Sequence, residues 1–240
     1  KDFPRLDFSE VGVYLLEASD RLLANIDAPL AQSAQRALEN KGVKVQYHQP
    51  VVSFDGKRVA LQDKTNLDAY TLIWTAGVRS AQLVDSLGLP QAAQKRVRVL
   101  PTLQLPGHEN VFIIGDAAYL EGKDGKPLPM VAQVAMQQAD AVIINIKNRL
   151  KQGNPVAFEY KDLGSMATIG RNQAVAQIFG LRFHGWIAWL IWLFVHLMQL
   201  VGFRNRLVVL INWAWEYWTF ERAIRLIAKR APTKSGARSG

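Results

Sequence analysis

Cysteine is absent from the chain, and that absence removes disulfide staples, thiolate metal sites, cysteine nucleophiles and any redox-active dithiol. Electron chemistry here therefore requires a bound cofactor. Histidine is scarce: His48, His108, His184 and His196 form no HExxH or similar spacing, so a metal site is not expected. No GxGxxG occurs, so the sequence lacks a phosphate-cradling glycine loop. It opens on Lys1 with no charged-then-apolar leader, which reads as a fragment or processed product with further sequence upstream. Acidic residues thin out towards the C-terminus. Residues 1–150 carry 17 basic and 16 acidic side chains, and 151–240 carry 12 and 4, so most of the +9 formal charge belongs to the later part.

What is present describes a folded chain of 240 residues with 49% hydrophobic content, enough for one large domain or two small ones. Val11–Leu16 is a continuous apolar run suited to a strand buried in a parallel sheet, ending on Glu17. Ala28–Lys41 has helical spacing and stops at Gly42, and Val43–Tyr47 is a second short strand. Asp55-Gly56 stands between two strand-like runs as a hairpin signal, and Ala69–Thr75 returns as an apolar strand. Val111–Ile114 leads into Gly115-Asp116, and a helix is predicted over Met130–Leu150 with Pro129 at its first turn. Phe158–Ile178 reads as a strand pair turning at Arg171-Asn172-Gln173; Ala231–Gly240 reads as a disordered end. The order indicates an α/β fold with an antiparallel insertion.

A buried strand ending in Gly-Asp presents a carboxylate at the C-terminal edge of a sheet, where open α/β folds bind ligands. A simple turn with an Asx hydrogen bond is the other reading of Gly115-Asp116. The wider segment TLQLPGHENVFIIGDAA, starting at Thr102, resembles the second flavin-binding motif of the two-dinucleotide-domain flavoproteins. That resemblance implies that Asp116 binds the ribityl chain of FAD, with backbone from Gly115 and Ala117. Downstream, Ala132-Gln133-Val134-Ala135-Met136-Gln137 resembles the Ala-Gln-x-Ala-x-Gln segment of type II NADH:quinone oxidoreductases. The resemblance places Ala132 and Gln133 beside the flavin and Gln133 and Gln137 at the quinone. Their spacing of four puts both amides on one helix face, where they either meet one small ligand or face solvent.

Phe158–Gly170 resembles the same subgroup, and Lys161 is a candidate cation near flavin or quinone; a solvated pair with the neighbouring acid is its other use. Glu17 stands where a nucleotide-binding βαβ unit places the acid that accepts from a ribose diol, an arrangement that favours NADH over NADPH. Thr75-Ala76-Gly77 matches the small-residue segment at which the family's NADH domain returns the chain to the flavin domain.

Six of seven tryptophans (Trp186, Trp189, Trp192, Trp213, Trp215, Trp218) fall in the basic part, the composition of a membrane interface rather than of a nucleic-acid surface. Phe183–Phe203 carries no formal charge over 21 residues, long enough to span, but its histidines, glycines and the following Arg204 and Arg206 favour helices lying in the interface. Arg204, Arg206, Arg222, Arg225, Lys229 and Arg230 would then meet anionic headgroups. A helix buried between two copies in a homodimer is the alternative.

The resemblance therefore implies an α/β part of a two-dinucleotide-binding-domain, Rossmann-like flavoprotein with a C-terminal amphipathic, membrane-anchoring helical region. Residues 1–76 would be the remainder of an NADH domain, 77–157 the end of an FAD domain, and 158–240 a strand pair and anchoring helices. The implied activity is electron transfer from NADH through FAD to a membrane quinone without proton pumping, peripheral on the cytoplasmic face of a bacterial inner membrane. A flavin reductase with a soluble acceptor, or an inactive membrane-attached fragment, are the other readings.

Overall fold

The computed structural model describes residue 7 and residues 11–219. The predicted disordered end, and the cations Arg222, Arg225, Lys229 and Arg230, lie outside the described residues. Strand β1 (Val13–Leu16) and β2 (Val43–Gln46) pair in parallel, Val13 opposite Val43, and helix α1 (Ala28–Glu39) crosses between them. Pro29 sits in the first turn of α1, where its missing N–H costs nothing, and Leu30, Ala31 and Ala34 form the buried stripe. The Asp55-Gly56 turn joins β3 (Val51–Phe54) to β4 (Arg58–Leu61), which pairs on its other side with β5 (Asn66–Asp68). The Asp55 carboxylate accepts from the N–H groups of Lys57 and Arg58 at 2.7 and 2.6 Å, which closes the turn.

Ala69–Thr75 is not a strand. Tyr70, Ile73 and Trp74 are exposed, Tyr70 at 97% and Ile73 at 79%, and a ladder needs a neighbour that the two-stranded β1–β2 sheet does not bring to it. A short helix α2 (Gln82–Asp85) follows, then β6 (Val97–Arg98), β7 (Gln104–Leu105), β8 (His108–Phe112) and β9 (Ala118–Tyr119). Strand β8 ends two residues before the predicted limit, and Ile113 donates instead to the Leu103 carbonyl at 3.1 Å. A single 3-10 turn, Gly115–Ala117, then leads into β9, which pairs in parallel with β6.

Helix α3 (Ala132–Leu150) begins later than predicted; Pro129 precedes it, its carbonyl accepting from the Val131 N–H at 3.1 Å. Residues 158–164 have no regular structure. Beyond them β10 (Ser165–Thr168) and β11 (Ala174–Ile178) form the expected pair, and an unpredicted β12 (Leu181–His184) adds to β11. The uncharged run is therefore divided: its first two residues finish β12, and the rest forms α4 (Gly185–Gln199) and a break before α5 (Phe203–Thr219).

Two buried clusters tie these parts together. Ile26, Leu30 and Ala34 of the α1 region pack with Val175 of β11, and Asp27 reaches the same sheet through its N–H to Gln177 Oε1 at 3.1 Å and its carboxylate to Arg182 at 2.5 Å. On the opposite side, Ala188 of α4 is fully buried against Ala174 and Ala176. Small residues on β11 let a helix pack closely on each face of a three-stranded sheet.

Candidate functional site

The site is built around the N-terminal half of α3. Gly115 adopts φ +63°, and a Cβ there would stand 3.3 Å from Ala135 Cβ, so the Gly-Asp turn rests directly on the helix. Gly115 donates its N–H to Gln138 Oε1 at 2.6 Å. That donor is spent inside the protein; what the turn offers outward is the exposed carboxylate of Asp116 and the half-buried Ala117. Buried Arg96 lies close enough for its guanidinium to sense the Asp116 charge. Burial lowers the pKa of Arg96, and the charges of Tyr119 and Asp116 oppose that shift. Its Nη1 donates to the Leu128 carbonyl at 2.9 Å, and its guanidinium stacks 5.0 Å from the Tyr119 ring centre. No side chain caps the start of α3, so the positive end of a 19-residue helix is left open beside exposed Ala132.

Gln133 and Gln137 share a face as their spacing requires, and both amides grip one extended segment. Gln133 donates to the Gly164 carbonyl at 2.9 Å and accepts from the Leu163 N–H at 3.2 Å. Gln137 donates to the Lys161 carbonyl at 2.9 Å and accepts from the Lys161 N–H at 3.0 Å. Each amide keeps a second N–H for another acceptor. The exposed Lys161 side chain is thus carried on backbone that α3 holds, next to the predicted glutamines. Beside it, Tyr160 has its hydroxyl pKa pushed up to about 12 by burial and by the neighbouring Asp162 carboxylate. A cavity of about 480 Å³ opens between Tyr160 and the Glu121–Leu128 loop, crossed by an ion pair of Lys123 with Glu159.

Glu17 stands apart, at the carboxyl end of β1. Its Oε1 accepts from the N–H and the hydroxyl of Ser19, both at 2.8 Å, and the carboxylate is half-buried. Ala76 and Gly77 are exposed, and the Ala76 carbonyl accepts from the Trp74 indole at 2.7 Å. Among the described residues no group of His, Cys, Asp and Glu could hold a metal ion.

Two residues that matter here escape a reading of the sequence. Gln138 and Asn145 are each 1% exposed and lie on the stripe started by Val134. Asn145 donates to the carbonyls of Thr102 at 3.1 Å and Val156 at 2.9 Å, and accepts from the Val156 N–H at 2.7 Å. Their spacing of seven on a buried helical face is the signal that could have found them.

Helices α4 and α5 stack by Trp192 on Trp213, with ring centres 6.4 Å apart, and by Trp189 near Tyr217. Arg206 turns back to cap α4, donating to the carbonyls of Leu200 and Met198 at 2.9 and 2.8 Å, so its charge serves a helix end. Arg171 does likewise for the Glu216 and Tyr217 carbonyls. The outward face keeps Trp186, Ile187, Phe194, Ile211, Trp215 and Trp218 exposed. Among the described residues no helix is long and apolar enough to cross a membrane.

Comparison with known proteins places this α/β core, with its Gly-Asp turn set on a helix start, in the class of pyridine nucleotide-disulphide oxidoreductases. Residues 7–139 match the family model for pyridine nucleotide-disulphide oxidoreductases, and 163–221 match that for the NDH2 C-terminal domain. The type II NADH:quinone oxidoreductase Ndh of Mycobacterium tuberculosis is 36% identical over 231 residues, covering 92% of this chain and 49% of its own length. The Staphylococcus aureus type II NADH:quinone oxidoreductase is 31% identical over 179 residues, covering 73% and 44%. Among solved structures, NDH2 from Plasmodium falciparum in complex with NADH superposes with a TM-score of 0.81 at 18% identity, covering 91% of this chain and 60% of that one. The sulfide:quinone oxidoreductase of Aquifex aeolicus gives 0.62 at 14% identity, covering 87% and 50%; at such identities both show the fold. The chain belongs to the pyridine nucleotide-disulphide oxidoreductase family. It spans about half the length of the curated relatives it matches.

Proposed function

We propose that the protein is an FAD-dependent oxidoreductase that passes electrons from NADH to a membrane quinone without pumping protons. The observation that carries this reading is the Gly115-Asp116 turn set against α3, with an exposed carboxylate beside an uncapped helix start. These residues suit a flavin: Asp116 accepts from a ribityl hydroxyl, and the open N-terminus of α3 at Ala132 and Gln133 favours negative charge on a reduced ring. A flavin held by Asp116 and the start of α3 would supply the hydride and electron-transfer chemistry that no side chain of this chain offers. The chain's own residues bind and orient. Glu17, held by Ser19, accepts from the ribose diol of NADH and disfavours a 2′-phosphate there. Gln133, Gln137 and Lys161 border the acceptor site, each glutamine offering its remaining N–H to a quinone carbonyl. Ala76 and Gly77 form the passage between the NADH part (1–76) and the FAD part (77–157).

Residues 158–240 serve as the membrane-facing part. The apolar outward surface of α4 and α5 supports peripheral attachment to an anionic bilayer, on the cytoplasmic face of a bacterial inner membrane. The test is a visible spectrum of the protein purified from its native source, and of Asp116→Ala. Flavin absorbance lost with the carboxylate supports the reading, and full FAD content in the variant removes Asp116 from the site.

A further inference from the structure

A glutamine with 1% of its surface exposed is uncommon, because an amide loses its water on burial and must recover the bonds inside. Gln138 recovers one at Gly115, whose N–H it accepts at 2.6 Å, shorter than the ordinary N–H to oxygen distance. The bond matters because of which N–H it takes. At a glycine both signs of φ are accessible, so the conformation of the turn depends on what restrains the residue on either side of its N–Cα bond. The Gly115 N–H points at α3 when φ is +63°, and Ala135, three residues before Gln138 on the same helix face, packs against Gly115. Helix α3 thus holds the Ile114–Gly115 peptide by its N–H and crowds the Gly115 Cα, and the two restraints together orient the turn that carries Asp116.

We propose that Gln138 is a positioning residue for the flavin: by holding the Gly115 N–H it selects the backbone conformation in which Asp116 faces the ribityl chain. The proposal rests on the flavin reading above. Gln138 touches no part of the cofactor; it acts through Gly115, and it carries no charge of its own into the site.

The test compares Gln138→Met, Gln138→Glu and Asp116→Ala in the natively expressed, flavin-loaded protein. Met matches the length of the side chain without a strong acceptor. It leaves the Gly115 N–H unpaired, which should weaken FAD binding about ten- to a hundredfold and displace the visible flavin band, with far-ultraviolet circular dichroism unchanged. Glu restores the acceptor, so FAD binding should return to within about threefold of the parent. FAD binding and band position unchanged in Gln138→Met, with FAD lost in Asp116→Ala, would overturn the positioning role and spare the flavin reading. FAD retained by all three variants would overturn the flavin reading itself. If the Met variant does not fold, Gln138→Asn decides, because its shorter amide falls short of the Gly115 N–H: unchanged FAD binding and band position reject the proposal, and both changed with circular dichroism retained support it.

Discussion

Gly164 lies so close to Gln177 that a Cβ on the glycine would stand 2.1 Å from the Gln177 carbonyl oxygen, and its φ is +105°. No side chain fits there without moving backbone. Gly164 is also the residue that Gln133 grips, so it joins α3 to the β10–β11 sheet. We predict that Gly164→Ala costs about 3 kcal/mol or more, from strained φ and overpacking together. Chemical denaturation would measure it, and a loss under about 1 kcal/mol would contradict the close approach.

The reciprocal bonds between Gln137 and Lys161 give a kinetic prediction. Gln137→Leu removes both bonds and frees the extended segment that carries Lys161. Hydrogen exchange at the Lys161 amide should accelerate about tenfold. In stopped-flow traces quinone reduction should slow while reduction of the flavin by NADH stays nearly intact. Equal slowing of both would place Gln137 outside the quinone site.

Glu17→Gln tests the ribose contact with little structural disturbance. The amide oxygen can still accept from the Ser19 N–H and hydroxyl, so the local turn persists while the charge is lost. The KM for NADH should rise and the preference over NADPH should narrow. An unchanged ratio between the two cofactors would show that this carboxylate does not read the ribose.

Tyr160 gives a pH signature. Its folded pKa of about 12 lies above the ordinary phenol value of 10, so the folded state holds this proton more tightly than the unfolded one. The associated stability is complete below the ordinary value and is lost as pH rises from there through about 12. Between those limits the near-ultraviolet tyrosinate titration of the parent and of Tyr160→Phe should coincide. A difference between them in that window would show Tyr160 ionising normally.

Attachment to lipid should depend on α5 rather than on the whole tail. Removal of residues 203–240 takes away exposed Ile211, Trp215 and Trp218, each contributing about 1.5 to 3 kcal/mol when buried in an acyl boundary, and should release the protein from anionic vesicles. High salt should weaken binding of the intact chain without abolishing it. A cut before Gly185 would be uninformative, because fully buried Ala188 covers Ala174 and Ala176 and its loss would uncover a sheet face. Sedimentation of the shorter protein with lipid to the same extent as the parent would refute the role of α5.

Local pattern carried much of this architecture. The spacing of Leu30 and Ala34 with the stop at Gly42 marked α1, the Asp55-Gly56 pair marked its hairpin, and Gly115-Asp116 marked the turn because glycine there answers a backbone need. Features set by partners far along the chain were not legible. Ala69–Thr75 has the composition of a strand, but composition cannot supply the neighbour that a ladder requires. Leu181–His184 was hidden because an uncharged run reads as one helix, when its first residues are drawn to β11. Gln138 and Asn145 were passed over because amides on a helix ordinarily face water, and only the backbone packed against α3 explains their burial.

The cluster of Leu30 and Ala34 with Val175, and the bond from Asp27 to Gln177 across 150 positions, also set a timetable for biosynthesis. Helix α1 leaves the ribosome with its apolar stripe complete, but the strand that covers it does not yet exist. At roughly 5–20 residues per second, on the order of 10 s passes before β11 is synthesised. For that interval the stripe lacks its β11 cover and has only the earlier elements to pack against until the later half arrives. Synonymous codons that slow translation between the two segments should lower the yield of folded protein without altering a single contact in it.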